Sequence, residues 1–129
     1  MPLVQDDSQW PVVVDAVIGE LSDEDLRSYN ARRAERLSRA ERHVQVMDGS
    51  SGVRMSPRHR KMIAEFDTRN RDAQRRYLAG VALVTPSVVL RAVLRAIFQL
   101  TASACPRRPC KSLDAAKTWA RSVLQNPGH

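Results

Sequence analysis

HVQVMDGSSGVRMSPRHRKMIAEF, residues 43–66, reads in order as a strand, a loop and the start of a helix. Val44 and Val46 alternate with Gln45, the period-two pattern of a half-buried strand, and the run stops at Asp48 before a turn-rich Gly-Ser-Ser-Gly. Ser56 followed by Pro57 is the expected pair for an N-cap and a first helical position. The serine oxygen takes up a free backbone N–H, and proline has none to lose. Met62, Ile63, Phe66, Ala73 and Tyr77 then return to one side, which predicts a second helix from Pro57 to about Leu78, closed by Gly80.

Upstream, Pro11 to Val17 is β-branched and ends at Gly19, and Leu3 to Gln5 forms a short preceding strand, joined through DDSQ as a hairpin. Ser22 and Asp25 make a capping box, with Leu21 and Leu26 as its hydrophobic staple, so the first helix starts at Asp23. Leu26, Tyr29, the stem of Arg33 and Leu37 are its inner stripe. Arg32, Arg33, Arg36, Arg39 and Arg42, interleaved with Glu35 and Glu41, read as a solvated face.

Downstream, VALVT at 81–85 is short and β-rich enough for a buried central strand. Thr85 and Pro86 repeat the cap-then-proline pattern and predict a third helix through Leu100. Its apolar face (Val89, Val93, Ile97 and Leu100, flanked by Leu90, Leu94 and Phe98) is wider than one sheet contact needs. Burial within the monomer is the expectation, and a partner- or lipid-facing surface is the alternative. Pro106 to Lys111 suits an edge strand, because its prolines remove ladder donors. Ser112 caps a last helix with Leu113, Ala116, Trp119, Ala120 and Val123 inward, and the tail from about residue 125 to 129 is expected to fray. Strand and helix alternate throughout. That order predicts one α/β domain over 1–129, with a mixed, mostly parallel sheet of four to five strands and four helices.

The chain has 129 residues, enough to bury about two-thirds of its unfolded surface around one core. With 43% apolar and 27% charged residues it is globular and needs no disulfide scaffold. Cys105 and Cys110 lie in CPRRPC without a second pair of donors, and His43, His59 and His129 share no ligand spacing, so free thiols and no metal or cofactor are expected. Val81 to Leu100 carries Pro86, Arg91 and Arg95 and is a poor membrane span, and MPLVQDD is not a signal peptide; a cytoplasmic protein is expected. No catalytic constellation emerges. Asp23, Glu24 and Asp25 are explained by helix-start electrostatics, Asp6 and Asp7 by a polar turn, and Gly49 to Gly52 lacks the lysine of a phosphate loop. His59 near Ser56 has no third group to orient it, so no enzyme activity is expected. The net charge is +7, and 18 of the 21 basic residues are arginine, a field that attracts nucleic acid or acidic proteins. With only two Trp, two Tyr and two Phe, no stacking motif accompanies it.

VQVMDGSSGVRMSP at 44–57, AGVALVTPSVVLRAVLRAIF at 79–98 and LDAAKTWARSVL at 113–124 together resemble the central strand and switch loop, the next strand and helix, and the closing helix of the STAS domain. This is the fold of bacterial anti-sigma-factor antagonists and of the STAS/CRAL-TRIO-like group, and the likeness in element order spans nearly the whole chain. The resemblance implies a non-catalytic regulatory module with a protein partner. Asp48, Ser50, Ser51, Arg54, Ser56 and Arg58 are the candidate partner-binding residues. Classical antagonists carry a phosphorylatable serine in an Asp-Ser-Ser-Gly motif directly before the second helix. Asp48 to Gly52 comes too early for that position, where this chain has Ser56 and Pro57, so a phosphoserine switch is not expected. The CRAL-TRIO-like relatives imply an alternative, a small-ligand or lipid-binding domain with Leu90, Leu94 and Phe98 as one wall. Non-specific nucleic-acid binding through the arginine-rich helices is a further alternative, and the sequence is compatible with a homodimer.

Overall fold

The computed structural model describes residues 3–126. Strands β1 (Leu3–Asp6) and β2 (Val12–Val17) form the expected hairpin, paired antiparallel with Leu3 opposite Val17. β2 lies parallel to β4 (His43–Asp48), β4 to β6 (Leu78–Val84), and β6 to β7 (Arg107–Cys110). The sheet therefore runs β1-β2-β4-β6-β7, mostly parallel, with the proline-bearing β7 on an edge. Two further strands, β3 (Gly19–Glu20) and β5 (Val53–Arg54), pair parallel in a small second sheet that the sequence did not announce.

Strand alternation divides the main sheet into two faces. Val12, Val44, Val46, Ala82 and Val84 face α5 (Leu113–Gln125), where Ala116, Ala120 and Val123 close a dry core. On the other face lie α1 (Asp23–Ser38), α2 (Pro57–Arg69) and α3 (Arg71–Tyr77), packed through Leu26, Tyr29, Leu37 and Phe66. The capping box holds α1 as read: Ser22 Oγ accepts from the Asp25 N–H at 3.1 Å, and Asp25 accepts from the Ser22 N–H at 2.9 Å.

Three expectations are corrected. The second helix does not reach Leu78. It stops at Asn70, whose backbone N–H and side-chain Nδ2 both donate to the Phe66 carbonyl, and α3 begins one residue later. This makes five helices among the described residues rather than four. Gly80 is no helix stop but a β6 residue, small because a Cβ there would lie 2.8 Å from Cη2 of Trp119.

The helix expected from Thr85 is α4 (Val88–Leu100), capped by Ser87, whose Oγ accepts from the Leu90 N–H at 3.1 Å; Pro86 precedes the cap. It is not buried. It packs beside β7 at the sheet edge, leaving Val89 74%, Val93 47% and Leu100 86% exposed. Its width of apolar face thus reflects uncovered surface.

The expected fraying tail is only partly described. Gln125 closes α5 and Asn126 caps it, and 127–129 fall outside the described residues.

Candidate functional site

β2, β4 and β6 all run in one direction, so the loops that leave their C-terminal ends gather at one edge of the sheet, the usual place for function in an open α/β fold. The 49–52 loop is clamped there at both ends. The Gly49 N–H donates to the Val84 carbonyl at 3.0 Å, and the Gly19 N–H donates to the Gly52 carbonyl at 3.0 Å. Gly19 and Gly52 hold φ of 71° and 88°, a region that favours glycine. Asp48 Oδ1 accepts from both the backbone N–H (3.1 Å) and the hydroxyl (2.6 Å) of Ser50, which folds the loop onto itself. Ser50 and Ser51 stay exposed.

Ser56 caps α2 through the His59 N–H at 3.1 Å. The carboxylate that this helix start attracts comes from within the chain: Asp23 pairs with Arg58 at 2.9 Å and with His59 Nε2 at 2.8 Å. The hydrogen bond with His59, helped by the Arg58 charge, holds the Asp23 carboxyl below its usual range against a smaller opposing effect of burial. Asp48, Ser50, Ser51, Ser56 and Arg58 therefore share one rim, and Arg54 belongs to β5 beside it. Arg58 enters that rim already paired.

Behind the rim is a polar network that sequence reasoning missed. Arg36, read as part of a solvated face, is 1% exposed. Its guanidinium donates two 2.8 Å hydrogen bonds to Asp15, which is fully buried, and others to Asp7 at 2.7 and 3.0 Å. Asp7, expected in an ordinary polar turn, also takes Arg39 at 2.7 Å. Gln45 Nε2 donates to Asp15 and to the Tyr29 hydroxyl, both at 2.8 Å, and that hydroxyl donates to Met47 Sδ at 3.1 Å. The signal was present in the sequence. Asp15 falls in phase with Val13 and Val17 inside a buried strand, and a carboxylate placed there requires a cation.

The network ends at a cavity of about 510 Å³ bounded by β4 and β6, α2 and α3, and the 102–105 loop. Met47, Ile63, Val81 and Leu83 line its apolar part. Neither Leu90 nor Leu94 borders it; Phe98 instead lies under the Arg107 guanidinium, 4.3 Å from ring centre to Cζ. Burial pushes the Cys105 thiol at the cavity wall up to about 11 and raises Cys110 as well.

A mixed sheet in this order, with α5 on one face and three helices on the other, is a STAS-like fold. Comparison with solved structures shows the same. The chain is similar to an uncharacterised protein of the DUF3478 family with a SpoIIAA-like fold from Shewanella loihica PV-4, at 14% identity and a TM-score of 0.67, over 92% of this chain and 91% of that one. It is also similar to the anti-sigma factor antagonist SpoIIAA in its unphosphorylated form, at 12% identity and a TM-score of 0.60, over 96% and 98%. No family model and no curated protein matches the sequence. Among the described residues, no helix is long and apolar enough to cross a membrane.

Proposed function

We propose that this chain is a non-catalytic regulatory module that binds a partner protein through the strand-end rim, with the 49–52 loop at its centre. The observation that carries the reading is the clamped loop. Its two ends, Gly49 and Gly52, are fixed by hydrogen bonds to β6 and to Gly19, yet Ser50 and Ser51 between them are presented to solvent. A rigid exposed loop on a packed scaffold binds without ordering itself first, which is what a docking epitope needs. The likeness to an anti-sigma factor antagonist supports this choice over catalysis.

The charge-driven alternative loses weight because Arg33, Arg36, Arg39 and Arg58 are each engaged by carboxylates of the same chain. Affinity capture at physiological salt with nuclease treatment, comparing wild type with Ser51→Trp, tests the assignment. A stoichiometric protein held by wild type and lost by the variant supports the rim. Equal capture by both, or nucleic acid alone, refutes it.

A further inference from the structure

We propose that the 510 Å³ cavity between the sheet and α2/α3 is a binding site for a small organic anion with an apolar body. Nothing in the partner-docking reading requires it, and it stands on separate residues. The volume lies in the range that takes ligand-sized molecules.

The lining is divided by chemistry. Met47 and Ile63, with Val81 and Leu83 from β6, stay half-buried at positions that their strand and helix would otherwise bury fully. An apolar body covering them removes that surface from water. At the inner end stands Gln45, 4% exposed. Its amide orientation is fixed, because the opposite flip would set Oε1 against the Asp15 carboxylate. With Nε2 spent on Asp15 and Tyr29, Oε1 accepts no hydrogen bond among the described residues. An occupant that carries an N–H or O–H on its body satisfies it.

Charge decides the other end of the occupant. Asp67 is engaged by Arg33 and by Gln74 Nε2 at 2.9 Å while staying partly exposed, and its charge and that of Arg33 cancel. Arg71 makes no ion pair among the described residues, and Arg107 is held in place by the carbonyl and hydroxyl of Thr101, both at 2.8 Å, rather than by a carboxylate. Arg107 lines the cavity but turns its guanidinium to Phe98 and Thr101, so the Arg71 guanidinium from α3 is the one left to select an anionic head group.

The test is a fluorescence titration of the full chain with anilinonaphthalene sulfonate and with its uncharged parent, N-phenylnaphthylamine. These share an apolar body and an N–H and differ in the anion. The sulfonate is expected to bind roughly tenfold tighter than the parent, the discrimination that one charge-assisted hydrogen bond supplies. Arg71→Glu should erase that preference while leaving the parent within roughly threefold, and Ala64→Trp, which places a ring at the α2 wall, should weaken both probes by roughly tenfold or more. If Ala64→Trp loses its circular dichroism signature, Ala104→Trp in the loop wall takes its place.

The control is Val93→Ser/Ile97→Ser on the exposed face of α4. Loss of both probes in that variant would mean that they bind α4, and the proposal fails. It fails equally if neither probe binds, if sulfonate and parent bind alike, or if the wall variants change nothing.

Discussion

Arg36→Leu is the substitution that most sharply tests how this domain is held together. In the native structure Asp15 is fully buried and receives two 2.8 Å bonds from Arg36 and one from Gln45. Leucine retains apolar bulk but leaves the Asp15 carboxylate with the Gln45 amide alone, an almost uncompensated charge in a dry interior. Breaking a buried pair by removing one partner costs about 3–5 kcal/mol. A domain of this size is stable by roughly 5–15 kcal/mol, so the variant should fold but sit near the edge. With a urea m-value of about 2 kcal/mol/M, the midpoint should fall by about 1.5–2.5 M. Asp15→Val/Arg36→Leu removes both charges and places valine in phase with Val13 and Val17. Replacing a buried pair with apolar residues is often near neutral, so the double variant should recover most of the loss. Urea unfolding followed by circular dichroism on both singles and the double closes the cycle. A midpoint shift under about 0.5 M for Arg36→Leu, or single-variant costs that simply add, would sink the reasoning.

Gly80→Ala should cost about 1–3 kcal/mol, because its Cβ would stand 2.8 Å from Trp119 Cη2, and combining it with Trp119→Phe should relieve most of that in thermal unfolding. Ala40 adopts φ 55° just after α1, so Ala40→Gly should raise stability by up to about 1 kcal/mol; a lower melting temperature would contradict that. Burial pushes the Asp7 carboxyl up, but the hydrogen bonds and charges of Arg36 and Arg39 outweigh it and hold it below its usual 3.8. A depressed carboxylate contributes stability that is fully present above its unfolded value and lost as pH falls through the folded one. Urea midpoints should therefore drop in acid below about pH 4, and Asp7→Asn should flatten that drop. Cys105, pushed up to about 11 from an ordinary 9.0, should react with iodoacetamide at about pH 8 roughly tenfold more slowly than an exposed cysteine, the loss of thiolate being partly offset by its greater nucleophilicity; matched rates would mean that the loop opens readily.

What was legible in the sequence was local. The Ser22–Asp25 box, the Ser56–Pro57 and Ser112 helix starts and the β-branched runs of β2 and β4 each depend on neighbours in the chain and stand where they were read, while β6, read at 81–85, starts three residues earlier at Leu78. What was not legible depends on pairing at a distance. Arg36 carries the same code as the solvated arginines around it, and only its meeting in space with Asp15, across 21 residues of chain, makes it interior. α4 illustrates the complementary limit. Its periodicity declares an apolar face, but a helix pattern does not say what covers that face, and here it meets little beyond β7. Of the rim residues, Asp48, Ser50 and Ser56 were visible as turn and cap chemistry, whereas the Asp23 contacts of Arg58 and His59 join two helices through residues far apart in the chain, 36 positions in the case of His59.

The Asp15–Arg36 pair also determines which sheet can form. β2 and β4 are neighbouring parallel runs of valine, and valine against valine is nearly as content in one alignment as in another. Native alignment sets Val13 beside Gln45 and Asp15 beside Met47. A slip of one residue would turn the carboxylate to the α5 side, among Val44, Val46 and Ala120, and a slip of two would carry it about 6.6 Å along the strand, beyond reach of its guanidinium. Each misaligned sheet buries a bare charge, and the native one does not. An apolar replacement can match the native stability yet abolish this contrast between right and wrong alignments, leaving two greasy strands with no means of telling them apart.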